Sequence, residues 1–124
     1  MTRLSAHFDT DEPGVQCKCG CGFGSRKLDS APELWRVLEQ IRAEFDKPVL
    51  LISVCRCAKH NRSVGGARTS QHLLGNAADI RIRGVSPLQI VDFADRTWPQ
   101  KFGIGRYAGF AHIDIRRQRA RWFG

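Results

Sequence analysis

Leu34, Val37, Leu38, Ile41 and Phe45 recur at the spacing of one helical face within SAPELWRVLEQIRAEFD, residues 30–46, and this pattern predicts an amphipathic helix. Ser30 or Asp29 can cap it, Pro32 suits its first turn, and Glu33 complements its positive end. Past Lys47-Pro48 the period changes. VLLISV, residues 49–54, is a near-continuous apolar run and predicts a buried central strand. NAADIRIR, residues 76–83, alternates: Ala78, Ile80 and Ile82 share one face of a strand, and Ala77, Asp79 and Arg81 the other. SPLQIVDFADRTW, residues 86–98, predicts a second helix with Ser86 as cap, Pro87 in the first turn and Gln89 completing a capping box. GIGRY and FAHIDIR, residues 103–107 and 110–116, predict two strands joined by a tight turn at Ala108-Gly109.

The order is helix, strand, loop, strand, helix, strand, strand. It predicts an α+β class: a small antiparallel sheet with helices packed against it. With 124 residues and an apolar fraction of 42 %, the chain suits a single domain over residues 1–124 with one core. Residues 1–30 are rich in Gly, Cys and Asp and read as an irregular arm. RCAKHNRSVGGARTSQH, residues 56–72, reads as a long loop with a turn at Gly65-Gly66, on the rigid scaffold where functional groups tend to sit. No repeat or linker interrupts the chain.

Charge and cysteines narrow the setting. The formal charge of +8 is concentrated in IRRQRARW, so residues 117–124 read as a basic tail with affinity for polyanions: nucleic acid, an anionic membrane or an acidic cell wall. Arginine used simply as a solubilising residue explains the same charge. No apolar run approaches the ~20 residues needed to span a bilayer, and MTRLSAHFDTDEP lacks the apolar stretch of a signal peptide. A product made in the cytoplasm, with no membrane insertion, is the expectation. The five cysteines stand in CKCGC and CRC, not in the C-x-x-C pairs of zinc ribbons. Disulfides, inert thiols and a structural metal all remain open for them, and the odd count leaves one thiol unpaired in a monomer, the oligomeric state expected.

The chemistry-bearing residues follow from strand faces. His112 and Asp114 share one face of FAHIDIR, opposite Ala111, Ile113 and Ile115. Asp79 lies on the polar face of its own strand, with His72 seven residues before it in SQHLLGNAAD. If the two strands are neighbours, His72, Asp79 and His112 converge. Two imidazoles and one carboxylate suit zinc, and three protein ligands leave a fourth position for water. Taken singly, Asp79 reads equally as an exposed strand carboxylate, Asp114 as a partner for an arginine, and His7 or His60 as a surface histidine.

SQHLLGNAADI resembles the S-x-H-x-x-G-x-A-x-D motif of the zinc D-alanyl-D-alanine carboxypeptidase and murein endopeptidase family, which includes phage endolysins. SVCRCAKHNRSVGGARTSQH is similar to that family's S-G-Y-R stretch with its asparagine and Gly-Gly turn, and GIGRYAGFAHIDIR to its closing strand pair in the branch ending in H-x-D. Together these segments cover about half of the chain in the family's order.

The resemblance implies a fold of the hedgehog and D-Ala-D-Ala peptidase kind, with His72, Asp79 and His112 as ligands of one catalytic zinc ion. It implies Arg56 for substrate binding and oxyanion stabilisation, and Ser70 for contact with the substrate peptide. Two positions depart from the pattern. Val54 and Cys55 replace the Gly and Tyr of S-G-Y-R, and Gly109 stands where many members carry a Glu or Asp as general base. Asp114 is then the nearest carboxylate, either as the base or as a group that orients a neighbour by hydrogen bonding.

The implied activity is hydrolysis of an amide bond in peptidoglycan stem peptides or crosslinks, with zinc-bound water as the nucleophile. The basic tail would hold the enzyme to anionic wall polymer, and a phage-encoded or virion-associated protein is one route to the wall. The alternative is a catalytically degenerate, basic, metal-stabilised module that binds cell wall or nucleic acid. A specific nucleic-acid role is not expected, because aromatic and basic residues do not interleave outside the tail.

Overall fold

Packing of the first predicted helix decides where the core lies. In the computed structural model, which describes residues 3–9, 32–54 and 76–124, this helix is α1 (Pro32–Phe45). It buries Leu34, Val37, Leu38 and Ile41 together with Trp35, which lies beside the predicted stripe. Truncating Leu38 or Ile41 to alanine at such a site costs about 2–5 kcal/mol. The helix stops at Asp46, which adopts a left-handed φ of 51° and donates its N–H back to the Arg42 carbonyl at 2.9 Å. Pro48 then prevents the helix from resuming.

Five strands follow: β3 (Leu50–Ser53), β4 (Ala77–Arg81), β5 (Gly103–Arg106), β6 (Ala111–Asp114) and β7 (Ala120–Phe123), with α2 (Pro87–Thr97) between β4 and β5. Their order across the sheet is β3-β4-β6-β5-β7. β5 and β6 form the predicted hairpin, closed by the Tyr107 N–H on the Phe110 carbonyl at 3.0 Å. Ser86 caps α2, with the predicted reciprocal capping box: its Oγ accepts from the Gln89 N–H at 3.2 Å, and its own N–H donates to Gln89 Oε1 at 2.8 Å.

Strand alternation divides the sheet as the sequence pattern requires. Leu51, Ala78, Ile80, Ile104, Ala111 and Ile113 join the residues of α1 and α2 in one core. Phe45, Phe93, Trp98 and Phe102 continue that core as successive ring contacts at 5.6–6.1 Å. The other face carries the polar residues of β4 and β6.

Three features differ from the sequence reading. The sheet is mixed rather than purely antiparallel, because β7 runs parallel to β5. β7 itself lies within the stretch that reads as a basic tail. Arg121 makes this possible: on the core-side face, its guanidinium bonds Asp95 Oδ1 at 2.6 Å and the carbonyls of Phe102, Trp98, Ala120 and Lys101 at 2.7–3.1 Å. Second, β3 is an edge strand among the described residues, with Leu50 46 % exposed. Its apolar run supplies Leu51 and Val54 to the core, but among the described residues β3 pairs on one side only. Third, β1 (Arg3–Ser5) and β2 (Phe8–Asp9) form a small hairpin within the stretch that reads as an irregular arm. Phe8 is buried against Trp35, with ring centroids 5.6 Å apart. Glu39 of α1 pins this hairpin through Ser5 Oγ at 2.5 Å, the His7 N–H at 2.7 Å and His7 Nδ1 at 2.6 Å. No helix among the described residues is long and apolar enough to cross a membrane.

Candidate metal centre

Sheet register builds the site. Asp79 of β4 pairs with His112 of β6, His112 pairs with Gly105 of β5, and Gly105 pairs with Trp122 of β7. Paired residues in neighbouring strands project to the same face, so these four form one row across the sheet. Ser53 of β3 extends the row at the Asp79 end. The next row contains Ala77, Asp114, Gly103 and Ala120. On the β5 side, glycine flanks both functional side chains of β6.

Asp79, His112 and Asp114 are the buried polar residues among those described, at 9 %, 7 % and 0 % exposure. His112 Nδ1 lies 2.9 Å from Asp79 Oδ1, and its Nε2 lies 2.8 Å from Asp114 Oδ2. Burial opposes charge on this imidazole, but the bonds to Asp114 and Asp79 outweigh it and raise its pKa above the usual histidine value.

Asp114 is held on all sides. Its Oδ1 accepts from the Gly103 N–H at 3.1 Å, the Arg116 N–H at 3.1 Å and Arg116 Nε at 2.8 Å. Its Oδ2 accepts from Arg116 Nη2 at 2.7 Å as well as facing His112. Burial alone would raise the carboxyl pKa, yet the hydrogen bonds from His112 and Arg116 drive it far below the carboxylate range. A side chain at Gly103 would run into this carboxylate, so glycine there lets Asp114 lie against β5.

Whether these groups suit zinc is a question of donor chemistry. An imidazole nitrogen and a carboxylate oxygen face each other through Nδ1 and Oδ1, both borderline-hard donors that zinc accepts. The other ring nitrogen faces a fully buried carboxylate, the arrangement that fixes tautomer and ring orientation in histidine ligands. Asp114 approaches the far side of the ring and so does not converge with Asp79 on one point. Accordingly, among the described residues no group of three His, Cys, Asp or Glu side chains stands ready for a metal. The described part of the chain brings together two of the three predicted ligands, Asp79 and His112.

The other predicted site residues, Arg56, Ser70 and His72, lie outside the described residues, as do all five cysteines. Gly109 lies in the β5–β6 turn, with open space where a Cβ would be.

Two residues around the site carried no clear signal in the sequence. Arg116 clamps Asp114, and Trp122 lies with its ring centroid 5.1 Å from that of His112. Both sit in the arginine-rich C-terminal stretch, whose charge conceals the strand period. A family model described as Peptidase M15 matches residues 6–114. No curated protein matches the chain.

Proposed function

Because the chain belongs to the Peptidase M15 family, whose members are zinc-dependent peptidases, we propose that it hydrolyses an amide bond in peptidoglycan stem peptides or crosslinks. The observation that carries this reading is the Asp79–His112 pair, set side by side by strand register and backed by Asp114.

Asp79 and His112 would hold the ion, joined by His72 from the segment between β3 and β4. A zinc ion bound there supplies Lewis acidity to a scissile carbonyl and to attacking water. The protein's own groups do the rest. Asp114 accepts the Nε2 proton of His112 and thereby keeps Nδ1 turned toward Asp79. Arg116 neutralises Asp114, so that the buried carboxylate does not draw the proton fully away from the ring. Saturation of both Asp114 oxygens favours this orienting role over that of the general base. Arg56 stabilises the developing oxyanion; loss of such a donor typically lowers the rate about 10²–10³-fold. Ser70 contacts the substrate peptide.

Family membership does not favour the alternative of a catalytically degenerate binding module.

The test is incubation of purified protein with peptidoglycan, with and without a zinc chelator, followed by assay of newly released amino groups. Release that the chelator abolishes and added zinc restores is the expected result. Intact peptidoglycan under zinc-replete conditions overturns the proposal.

A further inference from the structure

Trp122 meets His112 across a gap that glycine leaves open. Gly105 is the residue of β5 between them in the row, and a Cβ there would run into the Trp122 indole. The indole therefore leans over β5 to within 5.1 Å of the imidazole centroid, at an interplanar angle of 51°. Its position is fixed from two directions. Nε1 donates to Tyr107 Oη at 2.9 Å, and Tyr107 is itself stacked on Phe110 at 4.5 Å, at the hairpin that carries β6. The Arg116 guanidinium, which clamps Asp114, also lies 5.3 Å from the indole ring. A single half-buried side chain thus touches His112 and the arginine that fixes its carboxylate partner.

We propose that Trp122 is a positioning residue for the metal centre, an inference that rests on the zinc-peptidase reading above. Asp79 and Asp114 hold the imidazole in its plane through the two ring nitrogens. The indole adds a further restraint, packed beside the ring across Gly105. Without it, the space over Gly105 opens and the imidazole loses that packing, so its orientation toward Asp79 is less firmly set. Trp122 stands eight residues beyond the family-matched segment, which ends at Asp114.

The test compares the intact chain with Trp122→Ala, Gly105→Ala and Trp122→Phe. Zinc affinity is read by chelator competition, and the His112 ring by imidazole nitrogen NMR of the metal-free protein. Trp122→Ala is expected to weaken zinc binding about 10–100-fold, the usual effect of losing a group that orients a metal ligand. It is also expected to give the His112 ring a second set of resonances.

Gly105→Ala pushes the indole aside without removing it and is expected to reproduce both effects, which keeps the test decisive if Trp122→Ala unfolds. Trp122→Phe retains a ring over His112 and is expected to recover most of the affinity. A folded Trp122→Ala or Gly105→Ala protein with parental zinc affinity and one set of His112 resonances overturns the proposal. A parental chain that takes up no zinc overturns the peptidase reading instead, and the comparison registers that outcome separately.

Discussion

The imidazole of His112 and the carboxylate of Asp79 face each other at 2.9 Å because the two residues are register partners in adjacent antiparallel strands. The pair is thus specified by backbone pairing, and both strands are anchored by the core on their opposite face. Asp79→Ala and His112→Ala are each expected to remove a zinc ligand and to abolish stoichiometric zinc binding and hydrolysis together. Metal analysis after dialysis, run beside the peptidoglycan assay, checks this. Full hydrolysis by either variant would refute the assignment.

Asp114 offers a sharper distinction. As an orienting group, Asp114→Asn keeps the shape but loses the charge, and zinc affinity is expected to fall about 10–100-fold. The loss of charge-assisted bonds to Arg116 is expected to cost roughly 1.5–3 kcal/mol of stability. Were Asp114 the general base, kcat would collapse while zinc affinity held. Chelator competition and kcat measured on the same variant separate the two roles.

Gly109 has room for a side chain, with nothing near the position a Cβ would take. Gly109→Glu is expected to fold as the parent does and to raise kcat at neutral pH, since a well-placed general base contributes about 10²–10⁴-fold. An unchanged kcat in a zinc-loaded Gly109→Glu protein would show that the chain already supplies its proton acceptor.

Arg121 holds β7 to the rest of the sheet through Asp95 and four backbone carbonyls. Arg121→Ala is expected to cost about 2–3 kcal/mol, in the upper range for hydrogen bonds to a charged group. It is also expected to weaken zinc binding, since β7 carries Trp122. Urea unfolding and chelator competition measure the two effects.

Glu39 sets a pH dependence away from the site. Burial would raise its pKa, but the bonds from Ser5 and His7 together lower it. A carboxyl with a lowered folded-state pKa contributes stability that is complete above the unfolded value, about 4.3. That contribution is lost as pH falls through the folded value. Glu39→Gln removes it, so the parent should melt higher than the variant at neutral pH, and the gap should close below about pH 4. Parallel thermal melts across that range test this, and a gap independent of pH would refute it.

The legible parts of this molecule are those where one period dominates. The stripe of α1, the capping box of α2 and the alternation in β4 and β6 each follow from local chemistry. That alternation put Asp79 on the polar face of one strand and His112 with Asp114 on the polar face of another, and the β4–β6 pairing makes these one face. Trp35 was hidden because it lies beside the helical stripe. β7 was hidden because the half-buried guanidinium of Arg121 reads as solvated charge until its acceptors are known. The β1–β2 hairpin is too short for a period to show, and its burial rests on one residue, Phe8. The edge position of β3 among the described residues was not legible because an apolar run reports burial and not the number of hydrogen-bonded neighbours. Trp122 acts through a parallel pairing that no local pattern encodes, and Arg116, bonded to the carboxylate two residues before it, is hidden among the arginines around it.

The row of paired residues across the sheet makes mispairing self-reporting. A one-residue slip of β6 would turn His112 toward the helices and put Ile113 in its place. Such a molecule would lose its core and, on the proposed zinc-peptidase reading, its grip on the ion at the same stroke. Metal present during refolding would therefore act as a proofreader, drawing the population toward correctly aligned sheets by mass action.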